Sequence, residues 1–277
     1  MTLIEHAPAK LNLALHVRRR RDDGYHELET LFAFVRDGDV VRLDPDGEGF
    51  AVEGPFGAVL AGEGDNLVTR ARDAFGAAFG MATPGRITLD KRLPVASGLG
   101  GGSADAAATL RLLARRAGVS IDDPRLFAVA DALGSDVPAC LYGRTAIGTG
   151  RGEQLEWIDG APGVPVLLVN PGVAVSTGAV FRAWDGLDHG PIPSAGSLIE
   201  RAKAGRNDLY PPAMQIARDI QTAIIWLDAQ PGADLCRMSG SGATCFATFD
   251  TAAACADAAR RLPLQCPGWW CLETVLS

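Results

Sequence analysis

No stretch of this chain stays apolar for long. Its longest uninterrupted runs, such as Val164 to Val169 with Pro165 inside, fall far short of the roughly 18 residues that a helical membrane span needs, so a soluble protein is expected. No secretory leader is expected either: in MTLIEHAPAKLNLALHV, Glu5 and Lys10 interrupt what would have to be its apolar centre, and the basic cluster follows that stretch instead of preceding it. A cytoplasmic protein is the expectation. Metal-type cysteine spacing is lacking, because Cys140, Cys236, Cys245, Cys255, Cys266 and Cys271 include no Cys-x-x-Cys, and the close pair Cys266 and Cys271 has no histidine cluster beside it. Free thiols are expected. Positive charge is also short. A net charge of −7 argues against broad attraction to a nucleic-acid backbone, and the one basic cluster, Arg18 to Arg21, reads as a solvated hairpin or loop. There is no internal repeat and no long low-complexity segment.

What is present is a 277-residue chain, 47% hydrophobic and 21% charged, with enough apolar material for a core and a length that suits two modest domains. Leu11, Leu13, Leu15 and Val17 alternate with Asn12, Ala14 and His16 as a half-buried strand would. Further strands are predicted at Val40 to Leu43 and Ile87 to Lys91. A helix is expected from Ala104, with Asp105 in its first turn, Arg115 and Arg116 in its last and Gly118 as its stop. Asp123-Pro124 starts another that ends at Gly134, and Ser135-Asp136-Val137-Pro138 opens a short third. The second half reads strand (166–170), helix (177–184), loop (186–197), helix (212–229, on the spacing of Ile216, Ile220, Ile224 and Leu227), strands (235–238 and 244–249), a helix capped by Thr251, and a last strand (269–275). Strand, helix, strand, strand, helix, strand is the ferredoxin-like order. The boundary is placed in the stretch Glu153 to Gly163, giving domains 1–157 and 158–277.

Between the third strand and the first helix lies Gly98-Leu99-Gly100-Gly101-Gly102-Ser103. Glycines let a backbone approach a ligand closely, and the unpaired N–H groups of a helix's first turn suit an anion, so a phosphate is the natural occupant. A Walker A loop is excluded because no lysine follows Gly102, and the dinucleotide fingerprint fits poorly because Ser stands at 103 where Gly or Ala is required.

Pro94-Val95-Ala96-Ser97-Gly98-Leu99-Gly100-Gly101-Gly102-Ser103-Ala104 resembles the phosphate-binding motif of the GHMP kinases. Pro8-Ala9-Lys10-Leu11-Asn12-Leu13 before it and Ser239-Gly240-Ser241-Gly242-Ala243-Thr244 after it match the same family in the same order. Asp22 to Leu28 and Leu133 to Pro138 are similar to the branch that acts on a cytidyl diphosphate sugar alcohol, and the likeness runs from position 8 to about 250. The resemblance implies an α+β fold with an N-terminal S5-domain-2-like α/β domain and a C-terminal ferredoxin-like βαββαβ domain. It implies ATP and Mg²⁺ as cofactors, small-molecule substrates, no nucleic-acid or membrane partner, and a monomer or homodimer. Lys10 and Asp136 become the catalytic pair, a carboxylate accepting the proton of the attacking hydroxyl and an ammonium stabilising negative charge. Pro94, Gly98, Leu99, Gly100, Gly101, Gly102, Ser103 and Ala104 hold the nucleotide phosphates, with Ser103 either a phosphate or Mg²⁺ ligand or a plain helix cap. Gly64-Asp65-Asn66-Leu67 matches a segment beside the adenine, which makes Asn66 a base contact. Tyr25 and His26 contact the cytidine, Asn12 and Thr177 the sugar alcohol or diphosphate, and Phe181 walls the cytidine pocket. A GHMP kinase for homoserine, mevalonate or a sugar is the rival reading.

Overall fold

The computed structural model describes residues 1–60 and 66–277; Gly64 and Asp65 of the segment matched to the adenine site lie outside them. In chain order the elements are β1 (Leu3–Arg20), β2 (His26–Asp44), β3 (Phe50–Glu53), α1 (Gly57–Leu60), α2 (Leu67–Phe79), β4 (Arg86–Asp90), α3 (Gly101–Ala117), α4 (Pro124–Leu133), α5 (Val137–Tyr142), β5 (Ala146–Gly150) and β6 (Gln154–Trp157). There follow β7 (Pro165–Asn170), α6 (Thr177–Arg182), α7 (Leu198–Ala204), α8 (Tyr210–Ile216), α9 (Asp219–Asp228), β8 (Ala233–Met238), β9 (Cys245–Phe249), α10 (Ala252–Gln265) and β10 (Trp270–Val275). The chain forms two compact units whose segments alternate in sequence. The first comprises Met1–Lys10, Asp37–Val95 and Gly100–Gly143; the second comprises Leu11–Arg36, Ala96–Leu99 and Arg144–Ser277.

In the first unit the end of β2 pairs antiparallel with β4, from Val40 opposite Asp90 to Asp44 opposite Arg86, and β3 pairs parallel with β4. Helices α2, α3, α4 and α5 pack on one another. Alanine is the reason α3 can be buried along most of its length: Ala104, Ala106, Ala107 and Ala108 present only methyl groups, so neighbours approach closely, and Leu110, Leu112 and Leu113 complete the buried surface. Gly118 ends it in the left-handed region at φ +68°.

The second unit contains the start of β2 paired with β5, a β5–β6 hairpin, and a separate antiparallel sheet in the order β10-β7-β9-β8. That order, with α10 between β9 and β10, is the ferredoxin-like arrangement. Alternate residues Leu167 and Val169 of β7, and Cys245, Ala247 and Phe249 of β9, join Ile220, Ala223 and Leu227 of α9 and Cys255, Ala258 and Leu262 of α10 in one core. The cysteine- and tryptophan-rich tail belongs here: Cys266, Trp269 and Cys271 pack against that core, β10 pairs with β7, and all six cysteines are free.

Three expectations are corrected. The helix over 212–229 is two helices, α8 and α9, because Ala217 is extended at φ −141° and ψ 100°. The break turns Ile216 outward while Ile220, Ala223 and Leu227 stay buried, so the periodicity that included Ile216 ran through a real discontinuity. Helix α3 starts at Gly101 and not at Ala104, so Asp105 sits in its second turn, fully enclosed, instead of facing the helix dipole at the first. Ser103 is not its cap, since Gly100 occupies that position.

Candidate active site

Gly100 caps α3 at φ +63° and offers no side chain to the first turn. The N–H groups of Gly101, Gly102 and Ser103 therefore lack an intrahelical acceptor, and the ring of bonds begins only at Ala104, whose N–H donates to Gly100 O at 2.8 Å. A Cβ on Gly100 would stand 2.9 Å from Lys10 Cε and 3.7 Å from Asp136 Oδ2. Glycine thus meets two demands there, a left-handed backbone and room for the pair beside it. Lys10 Nζ lies 3.0 Å from Asp136 Oδ2, with the lysine side chain 4% and the aspartate 32% exposed. Asp136 is the N-cap residue of α5, yet its carboxylate makes no capping hydrogen bond. Asn66 does cap: its Oδ1 accepts from the Val68 N–H at 2.9 Å and starts α2.

Beneath the same loop is a cluster that the sequence reading missed. Lys91 Nζ donates to Asp39 Oδ2 at 2.6 Å and to Asp105 Oδ2 at 2.7 Å, and all three side chains are buried. Burial works against the Lys91 ammonium, but Asp105 and Asp39 outweigh it and hold the lysine above its ordinary range. Burial pushes Asp105 up to about 7, with the attraction of Lys91 offsetting only part of it. Lys91 reads in sequence as the last residue of the alternating segment Ile87 to Lys91, and nothing local distinguishes a lysine that turns inward. The glycine opposite is the one usable signal: a Cβ on Gly101 would lie 3.0 Å from Lys91 Nζ.

The second unit holds the other motif residues. Gly98, at φ +80°, lies so near the turn after β8 that a Cβ on it would meet Ser239 O and Gly242 O. Ser239 Oγ donates to Gly98 O at 2.9 Å and accepts from the Asn12 N–H at 3.2 Å. Thr244 N–H donates to Ser97 O at 3.0 Å. The motifs at 8–13, 94–104 and 239–244 therefore share hydrogen bonds within this unit. Asn12 is buried and its Nδ2 donates to Thr30 Oγ1 at 2.8 Å. Thr177 Oγ1 and Ser241 Oγ are 2.8 Å apart.

The Asp22-Asp23-Gly24 turn joins β1 to β2, with Asp23 Oδ1 accepting from the Tyr25 N–H and Gly24 at φ +86°. It delivers His26 to Phe181, ring centroids 4.9 Å apart, and to Trp184, 5.7 Å away edge-on. His26 Nε2 is buried and has no hydrogen-bond partner among the described residues. Burial, with Arg20 nearby, lowers the imidazole's pKa and favours the neutral ring. Tyr25 is 53% exposed, with the Arg151 guanidinium 5.2 Å from its ring centre. Arg151 was not foreseen.

Residues 66–144 match the GHMP kinases N terminal domain and residues 186–267 the GHMP kinases C terminal domain. This chain is a GHMP kinase, a phosphotransferase in class. It is 54% identical over 276 residues to the 4-diphosphocytidyl-2-C-methyl-D-erythritol kinase of Rhizorhabdus wittichii, covering 98% of this chain and 94% of that one. The enzyme of the same description from Novosphingobium aromaticivorans is 48% identical over 278 residues, with 100% and 93% covered. A crystal structure of 4-(cytidine 5'-diphospho)-2C-methyl-D-erythritol kinase superposes with a TM-score of 0.83 at 35% identity, covering 100% of this chain and 99% of that one. The chain belongs to the 4-diphosphocytidyl-2-C-methyl-D-erythritol kinase family.

Proposed function

We propose that the protein transfers the γ-phosphoryl group of ATP to the 2-hydroxyl of 4-diphosphocytidyl-2-C-methyl-D-erythritol, in the cytoplasm, as a step toward isoprenoid precursors. The observation that carries this is the Lys10–Asp136 pair against Gly100, where the glycine loop enters α3. Asp136 accepts the hydroxyl proton as the oxygen attacks the γ-phosphorus; the bond from that phosphorus to the bridging oxygen breaks and ADP leaves. Lys10 balances the charge of Asp136 before the proton arrives and of the transferring group during transfer. Pro94 and residues 98–104 surround the nucleotide phosphates, with the N–H groups of Gly101 to Ser103 as donors.

Among the described residues no cluster of three or more His, Cys, Asp or Glu is arranged to hold a metal. Mg²⁺ needs none in a kinase, since it keeps several waters and is bound through one or two protein groups plus the substrate's phosphates. Ser103, in the first turn of α3, is the loop hydroxyl that would hold it, and the ion would neutralise charge on the phosphates. His26 reads the cytosine edge through Nε2, Phe181 and Tyr25 border the base, and Thr177 contacts the substrate's diphosphate. Asn12 serves the sugar alcohol from its place beside Ser239 and Thr30. Asn66 reaches the adenine through its amide N–H₂, its Oδ1 being committed to α2. In sequence we assign residues 1–157 to a nucleotide-binding half and 158–277 to a C-terminal half, a division that the interleaved compact units cross. Phosphorus NMR of the reaction tests the proposal: one new phosphomonoester on carbon 2 and one ADP for each ATP support it, whereas ADP release without a new ester refutes it.

A further inference from the structure

We propose that Lys91, held between Asp39 and Asp105, is a positioning residue that fixes Gly101, and through it the first-turn N–H groups of α3, in the geometry that receives the nucleotide's phosphates. The inference rests on the reading of the glycine loop as the ATP phosphate site. Its basis is close approach that leaves no room for a side chain: a Cβ on Gly101 would lie 3.0 Å from Lys91 Nζ and 3.6 Å from Asp39 Oδ2. The cluster also clamps the loop from both flanks. On the leading side, Asp39 Oδ1 accepts the backbone N–H groups of Arg92 and Leu93, the residues that run into the loop. On the trailing side, Asp105 belongs to the second turn of α3, the helix that the loop opens. Lys91 joins the two carboxylates, so one chain of hydrogen bonds runs from the segment before the glycines to the helix after them.

Stability alone does not account for such a group. Two carboxylates and an ammonium lose their hydration on burial, and well-packed apolar side chains in their place are often as stable or more so. What the ionic set supplies is direction, because each hydrogen bond fixes an angle as well as a distance. Phosphate donors need that, since small misplacements of binding groups weaken their effect out of proportion.

Steady-state kinetics on the full chain, with ATP and the cytidyl alcohol varied in turn, and thermal melts alongside, test the role. Lys91→Met is expected to raise KM for ATP about tenfold or more, while KM for the alcohol and kcat at saturating ATP change less than about threefold. Asp105→Asn keeps an acceptor for Lys91 and is expected to hold KM for ATP within about threefold of the parent, whereas Asp105→Leu removes it and raises KM as Lys91→Met does. If Lys91→Met does not fold, the contrast between the two Asp105 variants decides. Variants that melt earlier with KM for ATP unchanged, or that move both KM values and kcat together, make the cluster structural and overturn the proposal. Gly101→Val separates the layers. If it too leaves KM for ATP unchanged, the phosphate reading of the loop falls and this proposal with it; if it raises KM while the Lys91 and Asp105 variants do not, only the positioning role falls.

Discussion

Asp123 and Asp136 both stand at helix starts, and they use their carboxylates differently. Asp123 accepts the Arg125 N–H and caps α4, while Asp136 leaves its helix uncapped and turns to Lys10. Asp136→Asn is therefore expected to melt close to the parent and to bind both substrates, yet to lose about 10²- to 10⁴-fold in kcat, the usual range for a removed general base. Single-turnover kinetics check it; a variant keeping more than about a tenth of the parental rate ends the base assignment. His26 makes a second prediction. Its Nε2 has no hydrogen-bond partner among the described residues, and His26→Ala should raise KM for the cytidyl substrate about ten- to a hundredfold with KM for ATP unmoved. Because burial, and then Arg20, lower its pKa, the imidazole stays neutral through neutral pH. Affinity for the cytidyl substrate is accordingly flat from neutral upward and falls only in acid, below the ordinary histidine range. Isothermal titration across pH 5 to 8 reads this, and a fall on the alkaline side contradicts it.

At the level of elements, His16 of β1 ties two distant segments together. Its Nδ1–H donates to Gly190 O at 2.9 Å and its Nε2 accepts the Arg206 N–H at 3.1 Å, an arrangement that needs the neutral ring. Burial is the main cause of its lowered pKa. The unfolded chain therefore takes up this proton before the folded one does, and the contribution of His16, complete above the unfolded value of about 6.5, is lost as pH falls through the lower folded value. His16→Ala should cost about 1–3 kcal/mol at pH 7 and flatten the fall in melting temperature between pH 7 and 5; an unchanged slope excludes the latch. Elements were legible where their signals are local. Asp123, Pro124 and Gly134 bound α4 as read, and Arg115, Arg116 and Gly118 close α3. The start of β2 escaped because Leu31 to Val35 are buried on both faces and show no alternation. Helix α2 has readable ends too, Asn66 and Gly80, but the sequence reading uses Asn66 only as a base contact and does not take it as a helix start.

For the whole molecule, the family and its three motifs were legible because a glycine loop and its flanks are contiguous in sequence. What was not legible is which side chains from distant segments converge. Asp39, Lys91 and Asp105 come from three separate segments, β2, the stretch after β4 and α3, and Arg151 reaches Tyr25 across more than a hundred residues of chain. Charge type and spacing carry no trace of such meetings, since any exposed helix or strand edge shows the same residues. The two units share the glycine loop along the chain: Gly98 is seated on the Ser239 to Gly242 turn and Gly100 on Lys10 and Asp136, each glycine required by its own neighbours. The central claim is phosphoryl transfer selective for a cytidyl diphosphate alcohol. Its most direct test is transfer of label from γ-labelled ATP to 4-diphosphocytidyl-2-C-methyl-D-erythritol, homoserine and mevalonate offered to the same preparation. Label on the cytidyl alcohol alone, with kcat/KM about 10³-fold or more above the others, is the predicted result, because loss of desolvated base contacts costs several kcal/mol. Comparable labelling of homoserine or mevalonate, or no label on the cytidyl alcohol, contradicts it.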